Sequence, residues 1–190
     1  MVMLMLVAAA IVAEPYQAYH YELEASVWDV WSKDLTGENR SAIFVLCCDE
    51  KSRPLTKFLA IYLPAAQGAY PAAPSLRLDL DPSISGVFFA ETDGQPPIEL
   101  VAVDSEGAVI YRLTEGRMEK VGAPRFASLW PYGAREPLFL KSAAIDLDGD
   151  GVDEWIVPVA SGYEIRRPDA AICRIPCDLA SEISGHDSVY

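Results

Sequence analysis

Short apolar runs separated by polar turns form the main pattern of this chain, and apolar residues at helical spacing are nearly absent. The runs are rich in Val, Ile, Phe, Tyr and Trp, and they are bounded by Gly, Pro, Asp and Ser. Runs of this kind are typical of β-strands joined by turns. The pattern therefore predicts an all-β fold. The clearest predicted strands cover residues 43–46, 100–103, 109–113, 155–159 and 163–166.

Three parts of the chain align with one another at a nearly constant interval of about 55 residues. Each contains an acidic loop with a glycine, followed by an apolar strand, a turn and a second strand. A period of this length suits one four-stranded unit with its connections, and radial arrays of such units are β-propellers. The repeat predicts a propeller-type array of about three four-stranded blades. The expected blades cover residues 27–85, 86–141 and 142–190.

The third acidic loop, residues 146–154, carries the strongest chemical signal. Asp146, Asp148 and Asp150 place carboxylates on alternate residues, and a backbone that curls around a cation directs alternate side chains inward. Calcium takes six to eight oxygen ligands at about 2.3–2.6 Å, whereas magnesium keeps several of its waters. Carboxylates this close repel one another when no cation lies between them. The loop is therefore predicted to bind one calcium ion.

Glu154 and Val152 complete the predicted set of calcium ligands. Glu154, in the ninth place of the loop, closes the shell with its carboxylate, and Val152 offers its carbonyl oxygen. An EF-hand needs an acid in the twelfth place, where this chain has Val157 within an apolar run. A helical calcium loop is therefore disfavoured. The remaining alternative is an Asx-type turn that holds no ion.

The segment from residue 142 to residue 167 resembles the FG-GAP repeat, also called the VCBS-type repeat, and residues 146–157 carry the match. Repeats of this family form blades of β-propellers, including the heads of integrin α subunits and many secreted bacterial proteins. The resemblance implies that the loop joins two strands of a blade and holds one calcium ion. The implied ligands are side-chain oxygens of Asp146, Asp148, Asp150 and Glu154 and the carbonyl oxygen of Val152.

The first and second acidic loops depart from this motif. They cover residues 34–42 and 91–99. The second loop keeps Glu91, Asp93 and Glu99 but contains Gln95, and the first has Ala42 where the closing acid would stand. Both are expected to be structural loops without tight calcium binding. A closed propeller of this family has about seven blades, so three copies imply a fragment of a longer protein or pairing with other copies.

The longest apolar run, residues 1–13, stands at the N-terminus. A run of about 13 residues is too short to cross a hydrocarbon core of about 30 Å. It has the length and the small-residue end of a secretory signal, with cleavage expected after Ala13 or Ala10. No Lys or Arg precedes it, so a buried first strand or helix is the alternative. The expected mature chain, residues 14–190, is secreted, periplasmic or at the cell surface, without a membrane span.

The four cysteines suit an exported chain, in which disulfides can form. Cys173 and Cys177 are close enough in sequence to pair across a short loop, whereas Cys47 and Cys48 lie in a strand-like run and fit burial. Zinc is disfavoured, because the two pairs lack the CxxC spacing of structural zinc sites. The formal net charge of -13 also excludes nucleic acid as an expected partner, because an acidic surface repels phosphates.

These features favour a binding or scaffold module that recognises a protein or glycan, with calcium in a structural role. The alternative is the propeller domain of a secreted hydrolase or lyase. The chain lacks a Gly-x-Ser-x-Gly elbow and a His-Glu-x-x-His pair, and His186 stands in a polar tail. Core packing is favoured over sugar stacking for the aromatic candidates. These are Trp28, Trp31, Trp130 and Tyr132.

Overall fold

The computed structural model describes residues 23–52, 55–65, 68–131 and 137–177. Within these ranges the chain forms thirteen β-strands in three sheets and no helix, which confirms the predicted all-β fold. All five clearest predicted strands lie inside observed strands. The described residues accordingly contain no helix long and apolar enough to span a membrane. The predicted signal segment, Tyr132 and His186 lie outside the described residues.

The first sheet is an antiparallel meander of four consecutive strands in the order β1-β2-β3-β4. The strands are β1 (Ser26–Lys33), β2 (Ala42–Asp49), β3 (Thr56–Tyr62) and β4 (Leu76–Leu80). The two central strands are buried almost throughout, while the edge strands β1 and β4 are partly exposed. Strands covered on both faces read as continuous apolar runs, which explains why β2 and β3 lack polar alternation.

The third sheet repeats this meander in the order β10-β11-β12-β13, and the second has the order β8-β7-β6-β5-β9. The strands of the second are β5 (Gly86–Ala90), β6 (Glu99–Asp104), β7 (Gly107–Thr114), β8 (Arg117–Gly122) and β9 (Leu138–Phe139). The strands of the third are β10 (Ala144–Ile145), β11 (Glu154–Val159), β12 (Gly162–Arg166) and β13 (Ala171–Pro176). The short β9 extends the second sheet by pairing in parallel with β5. Each sheet therefore contains one run of four consecutive antiparallel strands.

Buried side chains join each sheet to the next along the chain. One cluster combines residues of the first and second sheets, and in it Trp31 lies edge-on to Phe89 with ring centroids 4.9 Å apart. A second cluster combines the second and third sheets, where Phe88 meets Trp155 at 5.4 Å. Successive sheets therefore share a core, and the second sheet contributes to both clusters.

Two tight turns, one in the second sheet and one in the third, each end in a glycine with a positive φ angle. Gly107 begins β7 and Gly162 begins β12, and their φ angles are 153° and 132°. A Cβ atom would overlap the carbonyl oxygen of Pro124 in the first case and of Ile175 in the second. Glycine is required at both places because another part of the backbone, the segment after β8 in the first case and β13 in the second, passes against the turn.

The cysteines divide into a buried pair and an exposed pair. Cys47 and Cys48 are fully buried in β2, as expected, and burial raises the pKa of the Cys47 thiol to about 11. Cys173 and Cys177 are exposed free thiols in the structure, so the disulfide considered for them is not formed.

Thiol labelling should follow this division. We expect two cysteines of the folded chain to react quickly with a soluble thiol reagent, and all four in denaturant, because only thiolates that reach solvent react. Mass spectrometry of the labelled chain identifies the sites, with a sample reduced beforehand as the control. Fast labelling at Cys47, or protection of Cys173 that reduction removes, would contradict the arrangement.

Candidate metal site

The third loop connects β10 to β11 and wraps around the carboxylate of Asp146. Gly149 and Gly151 have φ angles of 79° and 89°, a region that glycine enters without steric cost. Their N–H groups donate to the two oxygens of Asp146, at 2.7 Å from Gly149 and 3.0 Å from Gly151. The sequence thus folds locally into a tight curl whose first acid stands at the centre.

Three of the predicted ligands come together at this curl. Carboxylate oxygens of Asp146, Asp148 and Glu154 all lie within 4.8 Å of one another. Ligands at about 2.3–2.6 Å from a common calcium ion are separated by no more than about 5 Å, so this spacing fits a shared cation. The three carboxylates belong to the first, third and ninth places of the loop.

Glu154 is the buried member of the group. Its residue is 2% exposed, and its Oε2 accepts the N–H of Leu147 at 2.9 Å. Burial follows from its place at the start of β11, beside the core residue Trp155. A buried carboxylate requires positive charge or hydrogen-bond donors nearby. The N–H of Leu147 is such a donor, and it stabilises the Glu154 carboxylate at the ninth place of the loop.

Asp150 and Val152 complete the loop but stand outside the group of three. Oδ1 of Asp150 accepts the N–H of Val152 at 2.9 Å, and its Oδ2 faces Arg167. The N–H of Val152, and then the hydrogen bond from Arg167, hold the pKa of Asp150 below its usual range. Asp150 is therefore ionised and close to the curl, as a calcium ligand must be.

Arg167 contacts this group of acids, and the sequence pattern did not indicate it. Its Nε donates to Glu154 Oε1 at 2.8 Å, and its Nη2 lies 2.8 Å from Asp150 Oδ2 and 3.3 Å from Asp148 Oδ2. The hydrogen bond to Glu154, and then that to Asp150, raises the pKa of Arg167. The signal that could have revealed it is Arg112, which holds the corresponding place in the sequence after the second loop.

The second loop has a similar arrangement of acids, although Gln95 stands where the third loop has Asp150. Oxygens of Glu91, Asp93 and Glu99 lie within 4.8 Å of one another. Arg112 donates from Nε to Glu99 Oε1 at 2.6 Å and from Nη2 to Asp93 Oδ2 at 2.6 Å. The N–H of Thr92 donates to Glu99 Oε2 at 3.0 Å, as that of Leu147 does to Glu154 in the third loop.

Two carboxylates of the second loop have pKa values shifted in opposite directions. Burial, and secondarily the neighbouring Glu99 and Asp93, raises the pKa of Glu91. The hydrogen bond from Arg112 holds the pKa of Asp93 below its usual range. Arg112 therefore favours the ionised form of Asp93. Glu91, the first acid of this loop, binds a proton more readily than an ordinary glutamate.

The first loop keeps the turn but has no closing acid. Oδ1 of Asp34 accepts the N–H groups of Thr36 and Gly37, each at 3.0 Å, and Gly37 has a φ of 75°. Ala42, at the place of the closing acid, is buried. The loop is an Asx-type turn that caps a strand connection.

Main-chain hydrogen bonds link each of the three acidic loops to the next. The N–H of Asp153 donates to the carbonyl of Glu91 at 2.7 Å, and the N–H of Ile98 donates to the carbonyl of Leu35 at 2.8 Å. In addition, Oδ2 of Asp153 accepts the N–H of Glu91 at 2.8 Å. The third loop is thereby held by the second loop as well as by its own hydrogen bonds.

Two of the aromatic candidates for sugar stacking, Trp31 and Trp130, lie against other rings. Trp31 contacts Phe89 and Phe139, with centroids at 4.9 and 5.6 Å, and Trp130 lies 6.4 Å from both Phe88 and Phe126. Both tryptophans are half-buried. This packing is typical of a filled space between sheets, as the sequence favoured.

A scan against protein-family models found no match to this chain, and a search of curated proteins likewise found none. The assignment of the site therefore depends on its own geometry. The decisive features are the curl around Asp146, the buried Glu154 and the recurrence of an acid at both places in the second loop, as Glu91 and Glu99.

Proposed function

We propose that this chain is a secreted, calcium-binding β-propeller repeat protein of the FG-GAP or VCBS type that acts as a binding or scaffold module. The observation that carries the proposal is the convergence of Asp146, Asp148 and Glu154 within 4.8 Å on a curled loop. Oxygen-only donors with three or more carboxylates are the chemistry that a hard cation selects. Asp150 and the carbonyl of Val152 would complete the shell.

A propeller arrangement is supported by how the sheets follow one another. Each contains four consecutive antiparallel strands, and buried clusters join the first sheet to the second and the second to the third. Blades of a propeller are meanders that pack face to face in chain order. The partner of such a module would be a protein or a glycan bound across the array.

Calcium in this proposal has a structural role. Its ligands come from a single connection between two strands, β10 and β11, and the most buried of them begins β11. An ion there would neutralise the acids and fix the connection, which stabilises the folded chain relative to the unfolded one.

Calcium binding should raise the melting temperature of the parent chain and not that of Asp148→Asn. At a calcium concentration 100 times Kd, binding adds about 2.7 kcal/mol, and a chain of this size gains about 2–4 °C per kcal/mol. We therefore expect an increase of roughly 5–10 °C for the parent, with one site per chain by calorimetry.

Asp79→Asn is the matched control, because Asp79 is an exposed acid in the first sheet that pairs with Arg77. It removes the same charge and should leave the response to calcium unchanged. The site assignment fails if Asp148→Asn retains the full increase. A folded parent chain that binds no calcium would remove the proposed function.

A further inference from the structure

Arg112 and Arg167 occupy equivalent places in the second and third repeats and make equivalent contacts. Each directs Nε to the closing acid of its own loop, Glu99 or Glu154. Their side chains are similarly shielded, at 26% and 29% exposed. The same ion pair recurs in two loops. The arginine is therefore a regular structural part of the acidic loop and not an isolated surface contact.

We propose that these arginines are built-in counter-cations of the acidic loops: Arg112 holds the second loop without metal, whereas Arg167 competes with calcium for the third. The second half of the inference rests on the proposed function. The first half concerns stability in the absence of metal and is independent of calcium binding.

The competition follows from the atoms involved. Arg167 contacts Asp148, Asp150 and Glu154, which are three of the acids assigned to calcium. A guanidinium nitrogen 2.8 Å from Glu154 Oε1 would lie within a few Å of an ion bound to that oxygen at about 2.4 Å. Two positive charges at such a distance repel, so calcium entry favours withdrawal of the guanidinium.

The two loops differ in how much negative charge the arginine leaves uncompensated. The third loop has the four carboxylates of its calcium motif against one guanidinium. The second loop has three carboxylates against one guanidinium, because Gln95 stands where the third loop has Asp150. Arg112 is also held closely, at 2.6 Å from oxygens of both Asp93 and Glu99. The remaining charge therefore attracts a divalent ion more strongly to the third loop.

Calorimetric calcium titration and calcium-free thermal melts of four chains test this proposal. The chains are the parent, Arg167→Gln, Arg112→Gln and the control Arg117→Gln, whose side chain is 71% exposed and lies 3.9 Å from Glu115. All three substitutions remove one positive charge, so long-range electrostatics are matched. Arg167→Lys, which keeps the charge with fewer donors, serves as the conservative variant if Arg167→Gln does not fold.

Arg167→Gln is expected to bind calcium about tenfold more tightly than the parent at unchanged stoichiometry, since the competing charge is gone. Arg112→Gln is expected to lower the calcium-free melting temperature and to leave the affinity of the third loop unchanged. Arg117→Gln should change neither quantity, and Arg167→Lys should have an affinity at or near that of the parent.

Equal or weaker calcium binding by Arg167→Gln would overturn the competition, because it would mean that the arginine supports the bound ion. A calcium-free melting temperature of Arg112→Gln equal to that of the parent would overturn the counter-cation role. If neither the parent nor Arg167→Gln binds calcium, the proposed function fails, and the melts of Arg112→Gln still decide the role of that arginine.

Discussion

Replacing Glu154 with Gln is expected to abolish the stabilisation by calcium and to destabilise the calcium-free chain as well. Glu154 is 2% exposed, and its two oxygens accept from Leu147 and Arg167. An amide presents an N–H₂ group to one of these donors, so a buried hydrogen bond is lost and Arg167 loses one of its three carboxylate partners. We expect a loss of about 1–3 kcal/mol in the free energy of unfolding, measured by urea denaturation.

Glu99→Gln is the matched control for this prediction. Glu99 is equally buried and accepts from Thr92 and Arg112 in the same geometry. The variant should therefore lose similar stability but keep the increase in melting temperature with calcium, because the third loop is intact. A response to calcium that survives in Glu154→Gln, or disappears in Glu99→Gln, would show that the ion has been assigned to the wrong loop.

Replacing Trp155 with Ala is expected to cost about 3–5 kcal/mol, as large aromatic deletions in a core generally do. Trp155 is fully buried, lies edge-on to Phe88 at 5.4 Å and contacts Phe126 at 6.3 Å. The change removes packing between the second and third sheets and leaves a cavity. For a chain of this size, the melting temperature should fall by roughly 6–20 °C.

Trp130→Ala provides the graded comparison, because Trp130 contacts Phe88 and Phe126 in the same cluster but is only half-buried. Its loss should be clearly smaller than that of Trp155. If both variants unfold at the denaturant concentration of the parent, the second and third sheets do not share the core described above.

The strands and the curl of the third loop were predictable because their signals are local in sequence. The loop encodes its own curl, since Asp146, Gly149 and Gly151 stand close together along the chain. Strand β2 was recognisable because burial on both faces demands a continuous apolar run. Local composition was therefore enough to predict both the all-β class and the acids that converge.

Features that depend on pairing between distant segments were not predictable in this way. Arg167 reaches Glu154 only because β12 pairs with β11 and brings the two parts of the chain side by side. The short strand β9 pairs with β5, which lies far earlier in the chain, and carries no pattern of its own. β13 is exposed along its whole length, so it lacks the alternation that would mark a strand.

The link between successive loops uses peptide groups: Asp153 N–H to the carbonyl of Glu91, and Ile98 N–H to that of Leu35. A main-chain donor survives every substitution except proline. The main-chain part of the link between these loops is therefore insulated from substitutions of the acids, whereas the hydrogen bond from Glu91 N–H to the Asp153 carboxylate is not. Individual loops can differ in their acids, as Gln95 and Ala42 illustrate, while the main-chain hydrogen bonds between the loops are kept. Chemistry and architecture can vary separately in such a chain.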